Sequence, residues 1–288
     1  MKIITNDYGC GTSSSILDYN TDNVIVVSEQ NHKHLFDVRG EDLLFIGHDF
    51  LMYLWDNPIY RSHWKNYKGK KHIYCFEKID CIVPQWQQKS HYSLSLCQQF
   101  TNSFYVSDEQ DCRKYGLKWL PQWASRRFYD QRAQVPQENR ITFSGQAGVP
   151  GYDKRDQLLS LITNDPDLKD KFYISNKSRT KSWDDYITNF LNHKFILAPF
   201  GNFKGFNTRT YEALTSGRIL LQQVDSEYKW HMESISKFNN VMFFETFEEL
   251  KSILMNSATD QILSRFETEP AMQFEENNLI SRLTIIEK

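Results

Sequence analysis

The sequence predicts an α/β protein with two domains, each built on a parallel sheet that helices cover on both faces. Short apolar runs bounded by Gly, Asp, Asn or Ser recur along the chain, as buried strands do. Stretches long enough for crossover helices separate several of these runs, which favours parallel pairing. The pattern stops near residue 122 and restarts near residue 140, and 288 residues are enough for two domains.

Five apolar runs in the first half are predicted to be strands. Each is rich in Ile, Val, Phe or Tyr. They are Lys2–Thr5, Asn23–Ser28, Asp42–Ile46, His72–Phe76 and Ser103–Ser107. Crossover helices are predicted within Phe50–Tyr60 and Gln87–Phe100.

A polar, Gln-rich run from Gln122 to Arg140 is the predicted linker, because it follows Leu120-Pro121 and contains Pro136. We therefore expect domains at residues 1–130 and 131–272, and a polar helix at 273–288 that packs back on the first domain. The second domain is predicted to contain strands at 140–145, 171–175, 195–198, 219–222 and 241–244, and helices at 154–162, 183–191 and 208–214.

Composition and charge exclude several classes of protein. Hydrophobic residues make up 40% of the chain, which argues against disorder, and the formal charge of −2 provides no basic field for nucleic acid. Five cysteines without a CxxC pair favour a reduced protein with buried thiols over a metal or redox site. The start of the chain does not look like a signal peptide, and no apolar run approaches the roughly 20 residues that span a bilayer. We expect a cytoplasmic protein with no membrane span.

The most informative stretch runs from residue 196 to residue 221. It predicts a buried strand ending in Pro199-Phe200-Gly201, a loop, a helix with Arg209 and Glu212 on one face, a stop at Gly217 and a second apolar strand. An arbitrary Arg and Glu at this spacing would be a surface ion pair. Here the flanking strands place them where a strand ends and a helix begins, a position at which α/β sheets bind phosphorylated ligands. This predicts a nucleotide or nucleotide-sugar site.

Three motifs follow one another along the chain. One is Asn207-x-Arg-x-Tyr-Glu-Ala-Leu-x-x-Gly-x-Ile-Leu-Leu221. The second runs from Phe104 through Trp119-Leu120-Pro121 to Phe128, and the third is Ile141–Gly145 followed by Tyr152 and Arg155. Together they resemble the GT-B glycosyltransferases, in particular their CgeB-like (spore-maturation-protein-like) branch, over roughly residues 100–255. The resemblance implies two Rossmann-like domains whose parallel sheets face a cleft.

The resemblance also implies roles for individual residues. Glu212 would hold ribose or donor-sugar hydroxyls, while Arg209, Asn207 and Thr208 would lie near the diphosphate. The turn at Ser144 and Gly145 would offer backbone N–H groups, and Arg155 would add positive charge. Further donor-side candidates are Pro199, Gly201, Lys177, Arg179 and Lys204.

The basic loop and Lys204 each allow a further interpretation. Lys177 and Arg179 lie in a basic loop that either contacts an anionic ligand or is a solvated surface. Lys204 stands where retaining relatives carry a second Glu, which disfavours retaining chemistry.

An inverting transfer needs a general base in the first domain. The candidates follow predicted strands, where a parallel sheet places its carboxyl ends: Asp7, His48, Asp49 and Glu77. Three of them also have an ordinary structural explanation: Asp7 as a helix cap, His48 as a core residue and Glu77 as the partner of a lysine.

The leading hypothesis is a metal-independent, inverting transfer of a sugar from a nucleoside-diphosphate-sugar to a glycan or other acceptor. No cofactor or metal is expected beyond this donor substrate, and the oligomeric state is left open. One alternative is a non-catalytic nucleotide- or sugar-binding module of the same fold. Another keeps the chemistry with nucleic acid as acceptor, which the near-neutral charge disfavours.

Overall fold

A computed structural model describes most of the chain. The described residues are 1–6, 18, 23–27, 35, 37–46, 58–76, 78–80, 94–95, 98–99, 101–135, 138–175, 182–201, 204–256 and 270. Contacts divide the chain into a first unit, Met1–Pro121, and a second unit, Gln122–Lys288. The boundary between the two units lies nine residues before the domain boundary predicted between residues 130 and 131.

The first unit contains a parallel sheet in the order β2-β1-β3-β4-β5-β6. Leu43–Ile46 is buried along its whole length, as expected for a parallel strand with both faces covered. The strands are β1 Lys2–Asn6, β2 Val24–Val27, β3 Leu43–Ile46, β4 Lys71–Cys75, β5 Ser103–Val106 and β6 Lys118–Trp119. Five of them match the predicted runs within about two residues at each end, and the short β6 was not predicted.

Two helices of the first unit have clear sequence causes. Helix α1, Pro58–Asn66, begins with a proline, which fits the first turn because its missing N–H has no partner there. Helix α2, Glu109–Tyr115, is capped by Asp108 and ends at Gly116 with φ 63°. The predicted helix Phe50–Tyr60 overlaps α1 only at its end, and most of it, like most of Gln87–Phe100, lies outside the described residues.

The second unit contains a parallel sheet in the order β11-β10-β9-β7-β8. The chain places β8 on one side of β7 and β9 on the other, so the strand order reverses between β7 and β9. Ligands of open α/β sheets bind at such a reversal, beyond the carboxyl ends of the strands. The strands are β7 Glu138–Ser144, β8 Phe172–Ser175, β9 His193–Ala198, β10 Ile219–Gln223 and β11 Val241–Phe244.

Both faces of this second sheet are covered. Along β9, Phe195 and Leu197 belong to one core, while Ile196 and Ala198 belong to the other, the alternation that a strand imposes. The helices are α3 Arg127–Asp130, α4 Asp153–Asn164, α5 Trp183–Leu191, α6 Thr208–Ser216, α7 Lys229–Ile235 and α8 Phe247–Met255. The sequence predicts α4, α5 and α6 but misses α3, α7 and α8.

The predicted linker Gln122–Arg140 is wrong over much of its length. Ala124 and the fully buried Phe128 belong to a core of the second unit, and Phe128 packs edge-on against Trp183 and Phe190. The polar composition hid these apolar anchors. The segment is therefore part of the second unit.

Three other expectations meet the structure only in part. Cys75 and Cys112 are buried, while the other three cysteines lie outside the described residues. In the described part of the chain, none of the helices is both long enough and apolar enough to cross a bilayer. The predicted helix at 273–288 lies outside the described residues.

Candidate functional site

The candidate site lies in the second unit, beyond the carboxyl ends of β7 and β9. Gly145 follows β7, Pro199 follows β9, and α6 begins nearby. Asn207 caps α6: its side-chain oxygen accepts the backbone N–H of Arg209 at 3.1 Å, and its amide donates to the Pro199 carbonyl at 3.2 Å. This cap ties the start of α6 to the end of β9.

Arg209 crosses from α6 to the end of β7. Its Nε donates to the Ser144 carbonyl oxygen at 2.7 Å, and its Nη1 donates to Asn207 Oδ1 at 3.3 Å. Only 8% of the residue is exposed. An arginine has five N–H donors, so these bonds leave donors for a further acceptor.

Arg155, in the first turn of α4, reaches the same crevice and is 4% exposed. Its Nε donates to the Phe200 carbonyl at 2.9 Å and its Nη1 to the Gln146 carbonyl at 2.7 Å. The guanidinium also lies 4.3 Å from the centre of the Tyr152 ring. Arg155 therefore joins the loops that follow β7 and β9.

The two guanidiniums lie beside one aromatic ring. The Cζ atoms of Arg155 and Arg209 are 5.5 Å and 4.8 Å from the centre of the Phe143 ring. Burial, and then the like charge of Arg209, lower the pKa of Arg155, although an arginine stays ionised at neutral pH. Among the described residues neither guanidinium forms an ion pair with a carboxylate. An anion bound here would offset the repulsion between them.

Glu212, one turn after Arg209 on α6, is 1% exposed. Its Oε2 accepts the hydroxyl of Tyr186 on α5 at 2.6 Å. Burial raises the pKa of Glu212 to about 7, while the Tyr186 hydrogen bond and the charge of Arg209 act in the opposite direction. The carboxyl group therefore changes charge near neutral pH.

Gly145 allows Arg209 to come close to β7. A Cβ at this position would overlap the Arg209 guanidinium, so a larger residue would displace that side chain. The sequence predicts free N–H groups at Ser144 and Gly145, but the Gly145 N–H donates to the Ser175 carbonyl at 3.3 Å. The Ser144 carbonyl accepts from Arg209, and its hydroxyl oxygen accepts the side-chain amide of Asn189 at 2.9 Å.

Lys204 does not join the two arginines. It forms an ion pair with Asp225, and this interaction contributes to the lowered pKa of Asp225. Thr208 is the first residue of α6 and is half-buried. Gly201 follows the buried Phe200.

A pair of buried glutamines at the end of β10 forms hydrogen bonds to β9, to the loop after it and to α6. Gln222 Oε1 accepts the hydroxyl of Thr210 at 2.6 Å, and its Nε2 donates to the Ala198 carbonyl at 3.2 Å. Gln223 Oε1 accepts the backbone N–H of Phe200 at 3.1 Å. The loop after β9 and helix α6 are thus attached to the neighbouring strand.

Several predicted site residues fall outside the described part of the chain. They are Asp7, His48, Asp49 and Glu77 from the first half and Lys177 and Arg179 from the second. The structure brings together Ser144, Gly145, Arg155, Pro199, Asn207, Arg209 and Glu212. Sequence reasoning missed Tyr186, Asn189 and Phe143, whose contacts join residues far apart in the chain.

Another acidic group lies in the first unit. Asp111, on α2, is 1% exposed and accepts the backbone N–H of Ile79, and Asp108 caps the same helix. Burial, and then the nearby Asp108, raise the pKa of Asp111 to about 7. These bonds attach the segment after β4 to α2.

One solved structure similar to the chain is that of an alpha,alpha-trehalose-phosphate synthase (UDP-forming) from Burkholderia vietnamiensis. The match covers 96% of this chain and 83% of that chain, with a TM-score of 0.52 and 10% sequence identity. No protein-family model and no curated protein matches the sequence. The CgeB-like branch therefore stays a prediction.

At 10% sequence identity, the similarity to this structure shows the fold alone. The parallel sheets of both units and the extent of the match agree with the predicted fold class. The chain has an α/β fold with two Rossmann-like domains, the fold class of GT-B proteins.

Proposed function

We propose that this protein is a glycosyltransferase that uses a nucleoside-diphosphate-sugar as donor. The observation that carries the proposal is the pair of buried guanidiniums, Arg155 and Arg209, at the strand reversal of the second unit. A diphosphate brings the negative charge that this pair lacks, and guanidiniums bind phosphate oxygens in a bidentate manner. The fold likeness to a synthase described as UDP-forming supports the same conclusion.

Glu212 completes the proposed donor site. An ionised carboxylate has about four lone-pair positions, and the Tyr186 hydroxyl uses one of them. The others can accept hydroxyl groups of a ribose or a donor sugar. A positive pair for the diphosphate and an acceptor for hydroxyls are the two features that a nucleoside-diphosphate-sugar requires.

The proposed reaction is metal-independent and inverting. Arg155, Arg209 and the start of α6 would stabilise the charge of the departing nucleoside diphosphate. Lys204, which stands where retaining relatives carry a Glu, is paired with Asp225. The general base would come from Asp7, His48, Asp49 or Glu77, and the acceptor would be a glycan or another hydroxyl compound.

The experiment is a release assay with UDP-, GDP- and TDP-sugars, beginning with UDP-sugars. We expect free nucleoside diphosphate from one donor and its loss in Glu212→Ala. Glu248→Ala is the matched control, because Glu248 is an exposed glutamate in the first turn of α8. Thermal stabilisation by a nucleotide without any transfer would indicate a binding module. No turnover and no nucleotide binding would contradict the proposal.

A further inference from the structure

The ring of Tyr186 is held by aromatic neighbours on three sides. It stacks on Trp183 with ring centres 5.4 Å apart and an interplanar angle of 10°. Phe128 packs edge-on at 6.3 Å, and Phe190 lies at 6.0 Å. With the ring fixed in this way, the hydroxyl has one defined position, 2.6 Å from Glu212 Oε2.

The direction of this hydrogen bond is fixed by the chemistry of the two groups. Burial, and then the charge of Glu212, raise the pKa of Tyr186 well above its ordinary value. The phenol therefore stays protonated and donates. A donor directed at a carboxylate stabilises the ionised form, whereas burial of Glu212 favours the neutral form.

Few groups act on Glu212. Within the described residues, Tyr186 on α5 and Arg209 on α6 are the titratable or charged groups that influence it, and both favour its ionised form. Tyr186 is also the sole described hydrogen-bond donor to its carboxylate. Removing the phenol hydroxyl would leave a buried carboxylate with no such donor.

We propose that Tyr186 is a positioning residue, an inference that rests on the proposed function. Its hydrogen bond keeps Glu212 ionised and oriented to accept hydroxyl groups of the donor. Proton uptake by Glu212 then weakens donor binding. A protonated Glu212 loses acceptor capacity and becomes a donor itself. Donor affinity should therefore fall as the pH drops below about 7, the value to which burial raises the pKa of Glu212.

The test measures the affinity of UDP, GDP and TDP by calorimetry between about pH 5.5 and pH 8.5 in wild type and Tyr186→Phe. Without the phenol donor, Glu212 should take up its proton at a higher pH. We expect Tyr186→Phe to weaken binding of the preferred nucleotide about tenfold near pH 6 and less than about threefold near pH 8, since one pKa unit changes an ionised fraction about tenfold. Glu212→Gln should bind weakly with little pH dependence, and adding Tyr186→Phe to it should change little further.

Tyr173→Phe is the matched control, because it removes a phenol hydroxyl from β8, where the ring stacks on His193. Its pH profile should equal that of wild type. A Tyr186→Phe profile equal to that of wild type, while wild type binds a nucleotide, would overturn this inference alone. A wild type that binds none of the three nucleotides would overturn the proposed function together with it. Thermal unfolding of each variant verifies that it is folded.

Discussion

Arg155 and Arg209 are both almost fully buried and carry the same charge, an arrangement that costs folding free energy. Backbone carbonyls of Ser144, Gln146 and Phe200 reduce that cost by accepting their N–H groups. They do not neutralise the charge. Such a cost is retained where charge is needed for a ligand, so the two buried guanidiniums indicate an anion site.

Gly145→Ala tests the close approach of Arg209 to β7. The new Cβ would overlap the end of a flexible side chain, so we expect Arg209 to move while the fold is preserved. A lost charge-assisted hydrogen bond should weaken UDP binding about tenfold. Calorimetry measures the affinity, and thermal unfolding verifies that stability changes little. Unchanged affinity would contradict the assigned role of Arg209.

Asp111→Asn tests the buried carboxyl group of the first unit. Its pKa is raised to about 7 in the folded protein, so the folded state keeps a proton that the unfolded chain releases from about pH 4 upwards. The stability contributed by this protonation is present at low pH and is lost as the pH rises through about 7. An asparagine keeps an oxygen for the Ile79 N–H but does not titrate.

We therefore expect Asp111→Asn to flatten the dependence of unfolding temperature on pH between about 4 and 7. Asp170→Asn, at an exposed aspartate of the second unit, is the matched control and should behave as wild type. The measurement is thermal unfolding followed by circular dichroism across this range. A slope unchanged by Asp111→Asn would show that the carboxyl is ionised throughout.

At the scale of elements, a helix cap can affect both the stability of the protein and the position of a site residue. Ser182 and Asp185 form a capping box at the start of α5, the helix that carries Tyr186. Thr246 caps α8 with a single bond, in which its hydroxyl accepts the backbone N–H of Glu249, and α8 contributes no residue to the site. The two caps are similar in chemistry and differ in what their helices hold.

Ser182→Ala and Thr246→Ala should each lower stability by about 1 kcal/mol, because each removes one N-cap hydrogen bond. Only Ser182→Ala should also weaken UDP binding, through Tyr186 and Glu212. Chemical denaturation and calorimetry provide the two readings. Equal UDP affinity in both variants would show that the cap of α5 does not influence ligand binding.

The strands were the most predictable elements, because an uninterrupted apolar run such as Leu43–Ile46 can be read locally. Helix α7 was missed because it has no side-chain N-cap. Helix α8 does have a start signal in the sequence, Thr246 followed three residues later by Glu249. The linker was wrong because a few apolar residues within the polar run, Trp123, Ala124 and Phe128 among them, are buried. Burial of one aromatic depends on tertiary contacts that no local pattern contains.

The candidate site was predictable where its residues share one motif. Arg209 and Glu212 lie on one short helix, and the flanking strands indicated a crevice. Tyr186 was not predictable, because its hydroxyl meets Glu212 across 26 residues of sequence. Pairing of that kind is set by helix packing.

At the scale of the whole molecule, the proposed reaction draws its positive charge from the protein. The chain as a whole has a formal charge of −2, whereas two buried guanidiniums concentrate positive charge at one point. A nucleoside diphosphate should therefore bind to the protein alone. Divalent cations should add little.

We expect UDP to raise the unfolding temperature by the same amount in excess EDTA as in millimolar Mg²⁺. Differential scanning fluorimetry measures the shift, and Arg209→Lys should reduce it under both conditions, because a lysine cannot make the same bidentate contact. A shift that requires Mg²⁺ would indicate that the metal enters with the nucleotide.

The two glutamines at the end of β10 have a consequence for local motion. Phe200 lies outside any strand, yet its backbone N–H is bonded to the buried Gln223 side chain at 3.1 Å. Its amide proton should therefore exchange with deuterated solvent as slowly as those of the sheet interior. In Gln223→Ala the exchange should accelerate at Phe200 while β9 stays protected, which hydrogen exchange followed by mass spectrometry would detect. This result would show that, in the wild-type protein, the Gln223 side chain keeps rigid the Phe200 backbone to which Arg155 is bonded.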